Sequence, residues 1–452
     1  MSLFRRAKGF GGEVWAWITY DFANSAFITS LYAVIFNQYF AGVIAGGPAG
    51  TDFTLLGWNF NLPGATLWEL SVLLATLLVI VLGPLAGIYA DRTGTRKRLL
   101  GLAVILGATA TAGLAGIRPG QVVFGGVLFA LALAAWLLSI NLYNSFLPQV
   151  AREEDVGLVS GISWALGYLG GGLCLLLNLF MLQNPRLLGF PEGTFGLGHI
   201  IGVVALWWLV FSLPLFLGVR ERPPAVGAPG HAADLRQLLR GLGRTLTQVR
   251  AFRPLALFLL AYVLFSNGIE TSIGAASIFG AEVLRMDTPA LIRMFLLVQF
   301  TAFAGALGFG VLVDRIGNKI SLALSLCGWL VALVWVYNLG LFLDPVTEFH
   351  LAAVLVGIVM GGSQAAARSL FARFTPPRRS AEFFAFYGVA GRVSSALGPL
   401  TFAAVNTATR SLRGAILALA VYFALGLILL LRVDESAGRE GARRMEEDVR
   451  QE

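Results

Sequence analysis

The chain has 452 residues, of which 57% are hydrophobic and only 13% charged, about half the charge of an ordinary soluble domain. With a mean hydropathy of +0.76, this balance excludes a water-soluble globule. The net charge of +8 does not imply a nucleic-acid partner, because membrane chains gather Lys and Arg in the loops of one side.

Crossing hydrocarbon takes about 20 mostly apolar residues, which predicts spans near 13–45, 66–90, 99–117, 122–147, 157–182, 199–219, 254–281, 289–313, 320–343, 349–372, 381–407 and 411–432. Arg5, Arg6 and Lys8 precede a first run too long for a signal peptide, so it is expected to stay as an anchor. In the alternating loops the bases fall heavily on the side of the termini. Only Arg118, Arg186, Arg285, Arg293, Arg410 and Arg413 fall on the other. Both termini are therefore expected in the cytoplasm. Three lysines (Lys8, Lys97 and Lys319) against thirty arginines hint at a GC-rich bacterial genome, and so at a cell (inner) membrane. Cys174 and Cys327 lie inside apolar runs and read as small buried hydrophobes.

Span 1 carries Asp21, Asn24 and Ser25 at i, i+3, i+4 spacing, on one helical face. After span 2 comes Gly83-Pro-Leu-Ala-Gly-Ile-Tyr-Ala-Asp-Arg-Thr-Gly-Thr-Arg-Lys-Arg98, a tight polar turn between two membrane helices. Its Asp91, Arg92, Gly94 and Arg96 recur at Asp314, Arg315, Gly317 and Lys319, all at one offset. A second alignment sets Phe22-Ala-Asn24 against Phe265-Ser-Asn267. Two similar halves are expected: 1–219 and 253–432, joined by 220–252 and followed by a tail, 433–452. In the linker, Leu235, Leu238, Leu239, Leu242 and Leu246 share one helical face and Arg236, Arg240 and Arg244 another, as in a helix lying on an anionic leaflet. A plain spacer is the alternative. The tail from Asp434 reads as a frayed helix.

Span 4 holds Asn141, Tyr143 and Asn144; span 7 holds Ser266, Asn267 and Glu270; span 10 holds Gln364 and Arg368; span 11 holds Arg392. Polar groups inside spans are expensive and so mark function by default. Gly161, Ala165, Gly167, Gly170, Gly171 and Gly172 in span 5, with Gly388, Gly391, Ser394, Ser395 and Gly398 in span 11, read as close-packing surfaces between the halves. No Walker sequence, complete dinucleotide fingerprint, metal-like histidine spacing or nucleophile–base set is visible, so no cofactor, metal or enzyme is expected.

Two six-helix halves, a long inner loop, and a turn of Gly87, Asp91, Arg92, Gly94, Arg96 and Lys97 together resemble the major facilitator superfamily. The second copy, with Asn318 in place of a base, is degenerate. Tyr20-Asp-Phe-Ala-Asn-Ser-Ala-Phe27, Val159–Gly171 and Arg368–Gly388 resemble the branch of the fungal autophagy-related vacuolar amino-acid effluxer and its bacterial relatives. Phe22 and Phe27 stand where many members carry Trp and Tyr. The resemblance implies an all-α membrane protein with 12 transmembrane helices in two pseudo-symmetric six-helix bundles, and spans 1, 4, 7 and 10 around a central cavity. It implies a monomeric secondary transporter that exports a small solute such as a neutral amino acid by alternating access, with membrane lipid and optionally protons as its other partners. A drug or lipid-like exporter and a non-transporting receptor are the alternatives.

Within that frame Glu270 is the proton-coupling candidate, or else is paired with Arg392 or Arg368. Asp21 contacts substrate or a neighbouring helix end. Asn24, Asn141, Asn144, Asn267, Gln364 and Arg368 are expected to ring a chamber able to hold a zwitterion. Arg368 otherwise snorkels to the inner interface, the preferred reading. Trp164 reads as packing. Asp91 is expected to face the positive end of a helix starting near Ser380, with Arg92 or Arg96 reaching Glu153, Glu154 or Asp155 as a closing gate.

Overall fold

Lipid offers no hydrogen bonds to a backbone, so apolar runs of this length must satisfy themselves as helices. A computed structural model describes residues 3–451 apart from 56, 192–193, 222–242, 244–246, 248–251 and 394–396. Among these, eleven helical stretches are long and apolar enough to cross a membrane. Spans 1–6 are Gly12–Ile44, Gly64–Thr93, Arg96–Leu114, Val122–Val150, Val156–Gln183 and Leu197–Gly218. Spans 7–10 and 12 are Arg253–Glu282, Ala290–Ile316, Asn318–Tyr337, Pro345–Arg373 and Leu412–Leu431. Span 11 is present as Ser380–Val393 and Leu397–Thr409. Between its two pieces lie Ser394 and Ser395, outside the described residues, as is the linker helix expected over 235–246.

Spans 1–6 pack chiefly on one another, as do spans 7–12. The two groups meet where span 5 lies on spans 8 and 10, and where span 11 lies on spans 2 and 4. Small residues set these approaches. A Cβ on Gly161 would stand 2.6 Å from the Ala306 carbonyl oxygen, and one on Gly87 2.5 Å from that of Ala381. Gly172 also faces the other half, at Gln299, but three other glycines of span 5 differ from expectation. Gly167, Gly170 and Gly171 face Asp21, Phe22, Ser25 and Thr29 of span 1, within one half. Gly391 and Gly398 likewise pack inside the second half, on Tyr262 and on Asn267 and Thr271. Cys327 is exposed, not buried; it lies on an outer face of span 9, where an apolar side chain needs no protein cover.

Three features lie outside the simple helix count. Span 1 is π-helical over Phe27–Ile35 and again over Phe40–Ile44, a geometry frequent at functional sites. A hairpin pairs Thr51–Leu55 with Trp58–Leu62 beyond spans 1 and 2. The tail is a docked helix, Glu435–Gln451, rather than a frayed one. Gly438 and Gly441 admit the rings of Phe374 and Phe252, Glu446 accepts from the Arg378 N–H at 3.0 Å, and Arg443 reaches Glu153 of the other half at 2.7 Å.

Burial pushes the Glu435 carboxyl up, but hydrogen bonds from Arg439, Asn318 and the Lys319 N–H outweigh it and leave the group below its ordinary value. A carboxylate depressed by folding stabilises above its unfolded pKa, and that stabilisation is lost as pH falls through the folded value. Docking of the tail is therefore expected to hold from neutral pH to about 4 and to loosen below it. A spin label at the exposed Glu447 should show constant mobility from neutral pH down to that point and rising mobility below it. Constant mobility throughout would place the docking energy elsewhere.

Candidate functional site

Span 2 ends at Gly94, which takes the left-handed conformation (φ 64°) that glycine adopts freely. The turn leaves Asp91 buried and facing the first N–H groups of span 11. It accepts from Ala381 N at 3.1 Å and Glu382 N at 2.9 Å. These are orphan donors at the positive end of a helix dipole, where the sequence placed them. Arg96 does not reach the acidic loop. Its Nε donates to Asp91 at 2.6 Å, and its Nη2 to the Pro377 and Arg378 carbonyls at 3.2 and 2.8 Å. Arg92 is exposed. Glu153 and Asp155 are held instead by the helices at the two termini, Glu435–Gln451 and Leu3–Lys8. Arg443 takes Glu153, and Arg6 sits 2.5 Å from Asp155 and 3.1 Å from Asp314 of the other half.

The second copy of the turn is offset by one residue from the sequence alignment. Lys97 donates its Nζ to the Val219 carbonyl and its N–H to Glu221. Lys319 does the same to Val433 and Glu435. Lys319 therefore answers to Lys97, and Asn318 stands where Arg96 does. Gly317 again has a positive φ, 89°. Asp314 lies where a Cβ on Gly157, at the start of span 5, would meet it, and Arg373 is 3.9 Å away. Arg315 is exposed.

One layer deeper, Arg368 is buried rather than snorkelling, with its side chain 2% exposed and that of Asp21 7%. Its Nη1 donates to Asp21 Oδ2 at 2.8 Å and Asn144 Oδ1 at 3.2 Å; Nε reaches Ser160 Oγ at 3.0 Å and Nη2 the Ser160 carbonyl at 2.8 Å. Asp21 also accepts from Ser163 at 2.6 Å and from Asn24 at 3.3 Å. Trp164, read as packing, lies against the guanidinium 5.1 Å from its ring centroid.

Glu270 is 17 positions beyond the start of span 7 at Arg253, about 26 Å along the helix at 1.5 Å per residue. Its carboxylate lies 3.9 Å from Arg392, and solvent reaches both side chains, 42% and 31% exposed. Tyr32, from the π-helical stretch of span 1, lies within electrostatic range of both charges, as does Tyr262. That puts the pair on the side of span 7 toward span 1. Tyr262 stacks on Tyr387 at 4.1 Å, and Tyr387 on Phe371 at 4.6 Å. Toward the face opposite the termini, Gly274 and Ser277 on the Glu270 side of span 7 are exposed.

The expected polar ring is thus not one open ring. Asn24 serves Asp21, and Asn144 serves Arg368. Gln364 accepts from Tyr168 at 2.8 Å. Asn267 is fully buried, accepting from Gly398 N at 3.0 Å, and Asn141 packs on Gly388. Both amides are covered by span 11, and their Nδ2 groups are buried without an acceptor among the described residues. Hydrogen bonds joining the halves run from the termini face up to Gln299 and Thr29. That face is closed. Sequence reasoning missed Trp17, Tyr32, Ser160, Ser163, Tyr262 and Tyr387. The spacing of Ser160, Ser163 and Trp164 on one face of span 5 was a usable signal.

The family described as "Vacuole effluxer Atg22 like" matches residues 64–443. The uncharacterized MFS-type transporter YxiO of Bacillus subtilis is 27% identical over 437 residues, 96% of this chain and 97% of that protein. Autophagy-related protein 22-1 of Penicillium rubens is 25% identical, covering 86% and 78%. Among solved structures, the proton:xylose symporter XylE bound to 6-bromo-6-deoxy-D-glucose superposes with a TM-score of 0.72 at 14% identity, over 96% of this chain and 98% of that one. The human organic anion transporter MFSD10 gives 0.68 at 16% identity, over 93% and 99%. At such identities the shared feature is the fold.

Proposed function

The chain belongs to the vacuole effluxer Atg22-like family of major facilitator transporters, and from that premise we propose that it exports a neutral amino acid, or a solute of similar size and zwitterionic charge, by alternating access. The observation that carries this reading is the solvent-reached Glu270–Arg392 pair at mid-membrane, above a sealed termini face. A zwitterion offers each member a partner: its carboxylate to Arg392, its ammonium to Glu270. The cost of keeping two charges away from bulk water is then offset in the loaded state. With both termini in the cytoplasm of a multi-pass protein of the cell membrane, this conformer is outward-open. The halves, 1–219 and 253–432, rock about the site. Glu270 takes up a proton when no ammonium faces it, which couples the return step to a pH gradient.

Proteoliposome flux across a panel of neutral amino acids, with and without a pH gradient, tests the proposal. Glu270→Gln removes a charge-assisted contact of about 1.5–3 kcal/mol, so flux at low substrate is expected to fall tenfold or more and its response to the pH gradient to vanish. Uptake of many unrelated aromatic compounds, little changed by Glu270→Gln, would favour the broad exporter. Tight binding without flux would favour a receptor.

A further inference from the structure

Arg368 belongs to the second half, but its head lies inside the first. The guanidinium carbon is 5.3 Å from the Trp17 ring centroid and 5.1 Å from that of Trp164. Asp21, Asn144 and Ser160 complete the surround, and all five residues come from spans 1, 4 and 5. Two of the walls, Trp17 and Asp21, are held by the first half alone. Trp17 donates its indole N–H to the Tyr143 carbonyl at 3.0 Å and stacks on the Tyr143 ring at 4.6 Å. Ser163 and Asn24 hold Asp21, and the Tyr143 hydroxyl is 2.5 Å from that of Ser163. When the halves part on this face, Arg368 must leave with its own half. What it leaves is a cage of two indole faces, one carboxylate, one amide oxygen and one carbonyl. In addition, the buried Trp164 indole N–H has no acceptor among the described residues, a donor available to an anionic group beside the cage.

We propose that this cage is a binding site for an organic ammonium group, filled by Arg368 in the closed state and by the amino group of the solute when the termini side opens. The inference rests on the transport reading above and adds a loading site to it. Aromatic faces attract cations through their quadrupoles, more strongly once water is excluded, and the carboxylate supplies the counter-charge. An arriving cation competes directly with Arg368, so loading holds the face open. Transfer of the ammonium from Asp21 to Glu270 then frees the cage and lets Arg368 close it.

The test is binding of methylguanidinium and ethylammonium to purified Arg368→Ala protein, read by thermal unfolding against equal concentrations of NaCl. Either cation is expected to raise Tm by about 2–4 °C in R368A, and by much less in wild type and in the R368A/D21N double variant. Equal responses of R368A and R368A/D21N, or of the cations and NaCl, would overturn the cage. Should R368A fail to give monodisperse protein, methylguanidinium is included during solubilisation. Recovery with it but not with NaCl supports the site, and no recovery overturns it. The readout needs no flux. A protein that binds the cations yet moves no amino acid in liposomes retires the transport reading, whereas flux in wild type without cation binding retires the cage.

Discussion

Asp91→Asn is expected to leave insertion and expression intact while lowering flux at least tenfold and shifting the resting conformer. Asp91 accepts two N–H groups at the start of span 11 and the Arg96 guanidinium, all buried. An asparagine keeps one acceptor oxygen and presents an N–H₂ where a carboxylate met donors. Losing about two charge-assisted contacts, at 1.5–3 kcal/mol each, destabilises the closed termini face by about 3 kcal/mol. That is on the order of a hundredfold change in the ratio of closed to open forms. Spin labels at the exposed Arg98 and Ile320, in a background without Cys174 and Cys327, should show a longer separation in D91N than in wild type. Normal flux with normal expression would remove Asp91 from the gate.

How much of this could be read from sequence depends on how local each contact is. The meeting of Asp91 with the start of span 11 was legible. The turn fixes where its carboxylate points, and a helix beginning near Ser380 supplies the donors. The partners of Glu153 and Asp155 were not legible. They come from Arg443 and Arg6, which lie on terminal helices whose docking no periodicity announces. The repeat was visible, but its register slipped by one at the lysines, because Thr95 gives the first copy a residue that the second lacks. Glu270 stood out as a carboxylate deep in a span, and its pairing with Arg392 was one of the stated alternatives. Arg368 was misjudged because snorkelling is judged from distance to the interface. What keeps it buried is the Asp21 carboxylate with Asn144, Ser160 and a Trp pair, supplied by three other spans. The asparagines looked like cavity lining from their helical positions, yet span 11 packs over Asn141 and Asn267. Only tertiary contact decides whether a polar stripe meets water or another helix.

Asp21→Asn and Arg368→Ala are each expected to cost about 3–5 kcal/mol, because removing one member leaves a buried charge without its partner. The double variant should cost less than the sum of the two. Thermal unfolding of the four proteins measures the cycle, and additive losses would mean the pair is not coupled. The same variants separate gate from site. Asp21 and Arg368 bridge the halves, so either change should lengthen the Arg98–Ile320 label separation as D91N does. Glu270 and Arg392 both belong to the second half, and their pairing survives a rocking motion in which each half moves as a body. Glu270→Gln is therefore expected to reduce flux while leaving the label separation at its wild-type value. If E270Q shifts that separation as far as D21N, the two pairs are one device, and placing the gate at Asp21–Arg368 is wrong.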